Sequence, residues 1–322
     1  MKKRMVNQET IVGKIFQHKL EIKTVQNEQS ANYGKPFISG TIDVATDPDL
    51  INVIPVHYTY VAETTKAGNT NSTFTALKKI IETGKTVVEN GADEATCVKL
   101  SPSIALNDFY TTDNNGEETL VSAIRNEGGF VNFVSNLDNE IDKEKFIADM
   151  VITSVIHQDA NPEREGDVDK VVVKGAIFDF RGSLLPVSFV VKDEGGMNYF
   201  EDLGATKEEP VFTQVWGRIV SETKTVKFEQ ESAFGEAAVR TTTRKNKEYL
   251  ITGARTEPYD FDTEETITAA ELKKAAEDRN VYLADVKKRN DEYKASLNTA
   301  NDASSSELPF KTNEVKKQEF NF

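Results

Sequence analysis

The sequence predicts an all-β protein: two tandem five-stranded barrels, each with one short helix, followed by a C-terminal helix and a disordered tail. Three observations carry this reading. Lys35 to Val61, KPFISGTIDVATDPDLINVIPVHYTYV, alternates as two strands around the turn Asp47-Pro48-Asp49, with Gly40 inside the first strand. The same design returns at Lys170 to Lys192, KVVVKGAIFDFRGSLLPVSFVVK. There Gly175 stands in place of Gly40, Arg181-Gly182 forms the turn, and Leu185-Pro186-Val187 replaces Ile54-Pro55-Val56. After each hairpin comes the same order of helix, strand and strand, the mark of a duplicated unit.

In chain order, Thr10 to Val25 reads as one long alternating strand bent at Gly13. The hairpin follows. Ser72 is expected to cap a helix over 73–81, with Phe74, Leu77 and Ile81 on one face and Gly84 as its stop. Cys97 to Leu106 and Thr119 to Arg125 are the fourth and fifth strands, joined by a turn over 107–116. A helix between the third and fourth of five strands is the OB arrangement. Residues 130–145 read as a polar bridge, with Phe130, Phe133 and Leu137 packed on the neighbouring structure. The second unit has Asp149 to Gln158 as its first strand, then the second hairpin and a helix over Met197 to Leu203. Its last strands are Val211 to Ser221 and Tyr249 to Ala254. Gly128-Gly129 and Gly195-Gly196 read as turns. Thr268 with Glu271 three residues on forms a capping box for a helix to about 297. Its thin stripe is Leu272, Ala276, Arg279, Leu283, Val286, Asn290, Tyr293 and Leu297, which suits a charged helix lying across the second barrel, the alternative being a partner-binding or self-association helix. The expected domains are 1–130, 131–258, a helix over 259–300 and a flexible tail over 301–322.

Composition narrows the function classes. The net charge of -14 argues against wholesale adsorption to nucleic acid, so a polyanion would have to be met in one local basic cleft. The single Cys97 excludes an intramolecular disulfide. No apolar run reaches the roughly 20 residues of a membrane span, and polar residues follow the basic start. These point to a cytoplasmic protein with no membrane partner. The chain has no GxxxxGK[ST], GxGxxG or GxSxG context, and His18, His57 and His157 lie on separate strands. A non-enzyme without metal or cofactor is expected.

The binding residues must then come from loops and outer faces. The connection Glu222 to Glu248 holds Arg240, Arg244, Lys245 and Lys247 with no acid from Ala237 to Lys247. Lys224, Lys227, Phe228 and Phe234 lie around it. Such a segment can meet phosphates while a ring accepts a base; the alternative is a solvated hairpin. The first unit contributes Lys14 and Phe16 on one strand face, and Tyr33 and Lys35 in a turn. Phe109 and Tyr110 stand at a rim. Alternation sets Trp216 beside Gln214 and Arg218, away from Val215 and Ile219, which raises a stacking role to equal standing with the core role a lone tryptophan more often has. Tyr58 and Tyr60 share a face, and one or both can be core.

These residues resemble a phage-type single-stranded DNA-binding protein with tandem OB folds. The likeness rests on Phe37-Ile38-Ser39-Gly40-Thr41-Ile42, on Ile54-Pro55-Val56 and on the element order. The terminal-region Glu307-Leu308-Pro309-Phe310 is similar to the acidic-x-Pro-Phe tip of bacterial single-stranded DNA-binding proteins. The resemblance implies coating of single-stranded DNA during phage replication or recombination, in the infected host cell. It also implies a tail that recruits replication or recombination proteins. Two other classes are consistent with the sequence: a phage structural or assembly protein using small barrels for protein contacts, and an enzyme accessory domain docking a partner subunit through the helix over 268–297.

Overall fold

The computed structural model describes residues 4–112, 116–161, 167–230, 238–261, 263 and 265–305, with backbone alone at 224–230, 238–245 and 297–305. In the first half the strands are β1 (Asn7–His18), β2 (Glu21–Thr24), β3 (Pro36–Ala45), β4 (Val53–Ala62), β5 (Cys97–Thr112) and β6 (Glu118–Phe133). Their neighbours run β1-β5-β6-β4-β3, and β3 returns to β1. The β4–β6 contact is parallel and the other registered pairs are antiparallel. The second half repeats this with β7 (Glu144–Gln158), β8 (Lys170–Phe178), β9 (Leu184–Val191), β10 (Val211–Gln230) and β11 (Ala238–Ala254). The order is β7-β8-β9-β11-β10, closed by β10 on β7, and β9–β11 is again the parallel contact. Helices α1 (Ser72–Thr83) and α2 (Val87–Asn90) lie between the third and fourth strands of the first barrel, and α3 (Glu194–Asp202) occupies that place in the second. Both halves are OB barrels.

The paired glycines of the hairpins have one physical reason. A Cβ on Gly40 would stand 2.0 Å from the Lys19 carbonyl oxygen, and one on Gly175 would stand 2.0 Å from that of Val151. Each barrel needs its first strand to press against this point. Inside, Ile11, Ile15, Ile38, Ile42, Ile54 and Val56 fill the first barrel. Phe146, Phe189 and Tyr249 pack ring on ring in the second, with centroids 5.0–5.5 Å apart.

Several sequence expectations shift. Thr10 to Val25 is two strands, β1 and β2, because the chain breaks at Lys19-Leu20 to pass Gly40. Asn71, not Ser72, caps α1, its side chain accepting from Thr73 N at 3.1 Å. Gly195 and Gly196 lie in α3, whose cap is Asp193. Gly128 and Gly129 sit inside β6, with φ of 70° and 84°. The bridge over 130–145 shrinks, since β6 runs to Phe133 and β7 begins at Glu144; Phe130 is exposed rather than packed. The turn over 107–116 is largely taken up by the arms of the β5–β6 hairpin. In the connection Glu222 to Glu248 the described backbone pairs from Glu222↔Asn246 to Gln230↔Ala238 as a two-stranded ribbon, the hairpin that the sequence left as one of two readings.

The sheet does not stop between the barrels. β1 pairs with β7 from Asn7↔Ala148 to Ile11↔Glu144. Two buried polar groups reinforce this seam. Asn52 Nδ2 donates to Ile219 O at 3.1 Å and to Thr46 Oγ1 at 3.0 Å, while its Oδ1 accepts from Ser221 N at 2.6 Å. Glu9, Asn126 and Tyr249 form the other. Asn126 Nδ2 donates to Pro55 O at 2.7 Å, which fixes the amide and turns its Oδ1 to the Tyr249 hydroxyl at 2.5 Å. The Tyr249 hydroxyl also reaches Glu9, donating to its Oε1 at 3.1 Å. Burial pushes the Glu9 carboxyl up to about 8, against the smaller opposing effects of Tyr249 and Lys247.

The chain divides into two compact units, 1–107 with 123–279, and 108–122 with 280–322. Helix α4 (Ala269–Ser305) begins in the first. Its capping box is present: Glu271 N donates to Thr268 Oγ1 at 3.2 Å and Thr268 N to Glu271 Oε2 at 3.0 Å. Leu272 and Ala275 pack beside Val151, Phe178, Phe212 and Ile267 on the second barrel, while Ala276 of the expected stripe is exposed. In the second unit Glu118 holds Lys287 at 3.2 Å, Asn290 at 3.2 Å and Lys294, and Lys287 lies over the Tyr110 ring.

Candidate nucleic-acid interface

Alternation along β10 sends Val215 and Ile219 into the barrel and leaves Gln214, Trp216 and Arg218 on the outer face, as the sequence predicts. The β7 partner completes that face. Register pairs Gln214↔Asp149, Trp216↔Ile147 and Arg218↔Lys145 stand directly opposite one another. Two cations at one cross-strand position repel, which a sheet built for stability alone would avoid. The Trp216 indole lies close on Gly253 of β11: a Cβ there would be 2.3 Å from its Nε1. Only glycine admits the ring in this position.

Trp216 and Arg218 line a cleft of about 520 Å³ with Ile141, Asp142, Lys143, Glu144 and Lys145. Lys143 also lines an adjoining cleft of about 310 Å³ on the first barrel, together with Lys14, Asp47, Asp138 and Leu137. The two clefts give a path that crosses both barrels. It is not the uniformly basic groove expected. Lys14, Lys143, Lys145 and Arg218 are matched in number by Asp47, Asp138, Asp142 and Glu144. Three of the acids are engaged: Glu144 Oε1 accepts from Arg218 Nε at 2.9 Å and Nη2 at 2.5 Å, Asp142 accepts from Lys145 at 2.9 Å, and Asp47 accepts from the backbone N–H groups of Ile51 at 3.0 Å and Asn52 at 2.6 Å. Lys14 and Lys143 form no ion pair with any described residue.

The other sequence candidates are dispersed. Phe16 is partly buried on β1 and Tyr33 about half exposed in its turn, where Lys35 Nζ donates to Asn32 Oδ1 at 3.1 Å. Phe109 and Tyr110 belong to the second unit, one exposed and the other beneath Lys287. On the ribbon the backbone sets Lys224 opposite Arg244, Phe228 opposite Arg240, Lys227 opposite Thr241 and Lys245 opposite Thr223. Lys247 donates to the Ile124 carbonyl at 2.6 Å. Phe234 and the tail motif Glu307, Leu308, Pro309 and Phe310 lie outside the described residues. His57 contacts Thr41 Oγ1 at 3.1 Å and His157 contacts Glu201 at 2.7 Å.

Sequence reasoning missed Lys143 and Lys145, whose alternation with Glu144 is visible in DKEKF but was absorbed into the bridge. It also missed an exposed aromatic pair on the first barrel: Phe37 and Tyr60 stack with centroids 4.7 Å apart. Tyr58, which shares the strand face of Tyr60, is core.

The YorF family model matches residues 7–289. The chain belongs to the YorF family. No curated protein matches it. Two solved structures of the single-stranded DNA binding protein from Thermus aquaticus are similar to it. A deletion mutant matches with a TM-score of 0.46 and 10% identity, over 81% of this chain and 99% of that one. The wild type matches with a TM-score of 0.45 and 9% identity, over 80% and 95%.

Proposed function

We propose that this YorF-family chain binds single-stranded DNA, largely without regard to sequence, and protects it without covalent chemistry during phage DNA replication or recombination. The observation that carries the reading is the outer face of β7 and β10, where Lys145 and Arg218 stand opposite each other beside Trp216. Crowded cations favour a polyanionic partner, and a flat indole favours unstacked bases. Stacking contributes about 1–3 kcal/mol per base and tolerates any sequence, since every base has a π-face. Bases inside a duplex are already stacked, so the same cleft discriminates against double strands. Lys143 and Lys14 extend the phosphate path onto the first barrel, and the basic ribbon over 222–246 offers further cations. The tail motif at Glu307 to Phe310 is the proposed recruiting site for replication or recombination proteins.

The single tryptophan makes the test direct. Titration with oligo-dT should quench Trp216 fluorescence, and anisotropy of the labelled oligonucleotide should give binding that weakens with added salt. A duplex of equal length should bind at least tenfold more weakly. Equal affinity for both forms, or binding without any change in tryptophan emission, would overturn the reading.

A further inference from the structure

We propose that Glu144 is a built-in competitor for the strand, holding the edge of the Arg218 guanidinium that a backbone phosphate takes over on binding. This rests on the single-strand reading above. Both Arg218 donors converge on one carboxylate oxygen, Oε1, which is how a guanidinium edge also receives a phosphate oxygen. The two partners differ in exposure. The Arg218 side chain is 62% exposed and that of Glu144 only 15%, so the carboxylate approaches from the protein side and leaves the cation open to the cleft.

The same arrangement runs along the segment that joins the barrels. Glu140 holds Lys99 at 2.8 Å and Asp142 holds Lys145 at 2.9 Å. In the free protein Asp142 and Glu144 relieve the repulsion between Lys145 and Arg218 that their register imposes. A bound strand supplies phosphates for the same purpose. Binding is then an exchange of anions, open to the strand because the Arg218 side of the pair faces solvent. Each displaced carboxylate takes up a counter-cation as the phosphate sheds one. The salt dependence should therefore be shallower than the count of cations suggests. Ligands whose phosphates cannot reach Arg218 gain nothing from it, which makes Glu144 a specificity-determining residue.

Glu144→Gln keeps the β7 backbone pairing and removes the charge. Oligo-dT should bind this variant roughly 3- to 10-fold more tightly at low salt. The slope of log affinity against log salt should also steepen by up to about one. In an Arg218→Gln background the same substitution should change neither quantity. Glu144→Asp, which keeps the charge but withdraws it from Arg218, should give a smaller tightening and guards against misfolding of the amide variant. Unchanged or weaker binding by both folded variants would overturn the inference and make Glu144 a positioning residue for Arg218. Failure of the wild type to bind any single strand would remove the functional reading, and this inference with it. Wild-type binding with an unresponsive Glu144→Gln would remove the inference alone.

Discussion

The seam between the barrels and the cleft beside it handle polar groups in opposite ways. In the seam, Asn52 spends its amide on Ile219, Ser221 and Thr46, and Glu9 sits neutral against Tyr249. A buried amide with all its partners in place, as at Asn52, fixes one geometry. In the cleft, Arg218 and Lys145 are set against each other, and each of the ion pairs that answer them keeps one partner open to solvent, Arg218 in one and Asp142 in the other. Such contacts are cheap to break. The contrast separates groups that hold the protein together from groups free to meet a ligand. Substitutions in the two places should therefore read out in different experiments.

The largest effect belongs to the seam. Folding holds the Glu9 carboxyl neutral up to about 8, whereas the unfolded chain loses that proton near 4.5. The folded state thus carries the extra proton, and its stability falls as pH rises from about 5 to about 8, then levels off. The slope attributable to Glu9 approaches 1.4 kcal/mol per pH unit. Denaturant titrations of wild type and Glu9→Gln across this range should show it in the first and not in the second. Asn52→Ala should come next, costing about 2–4 kcal/mol by leaving buried backbone groups of Ile219 and Ser221 unpaired. A much smaller loss would mean that the β1–β7 pairing holds the barrels without it.

Cleft substitutions should spare stability and cost affinity. Trp216→Ala is expected to weaken oligo-dT binding by about 5- to 150-fold, the equivalent of one lost stacking contact. Gly253→Ala should do the same without removing an aromatic, because the new methyl group displaces the indole. If Gly253→Ala binds normally, the ring does not act from where it now lies. The smallest effect is that of Lys145→Gln, which should lower the salt slope by less than the about 0.7 of a free cation, because Asp142 already holds Lys145, and should leave the melting temperature nearly unchanged.

How much of this was legible depends on what each residue buries. The duplication could be read because Gly40 and Gly175 face the same close approach, and barrel strands with one buried face alternate. The ribbon over 222–246 was legible only as one of two readings, since a run of basic and polar residues does not tell a paired arm from a loop. The start of β7 was hidden for a related reason. Lys145 lies on an outer face, so the segment resembles a polar linker until Ile147 and Phe146 are seen in register with β10. Trp216 and Arg218 were placed correctly by alternation alone. Their partners Lys143, Glu144 and Lys145 were not, because cross-strand register is a tertiary fact. Glu9, Asn52 and Asn126 are single polar letters in apolar stretches, and only the fold brings them together.

The pairing of β1 with β7 has a consequence for synthesis. As the chain leaves the ribosome, the edge at Asn7 to Ile11 waits for Glu144 to Ala148, over a hundred residues later. Until then it is an open strand, able to pair with any other exposed edge nearby. A fragment that ends before residue 144, or one that begins after residue 11, keeps that edge bare for good. Either half expressed alone should therefore aggregate or pair with copies of itself, and mixing the two halves should rescue both.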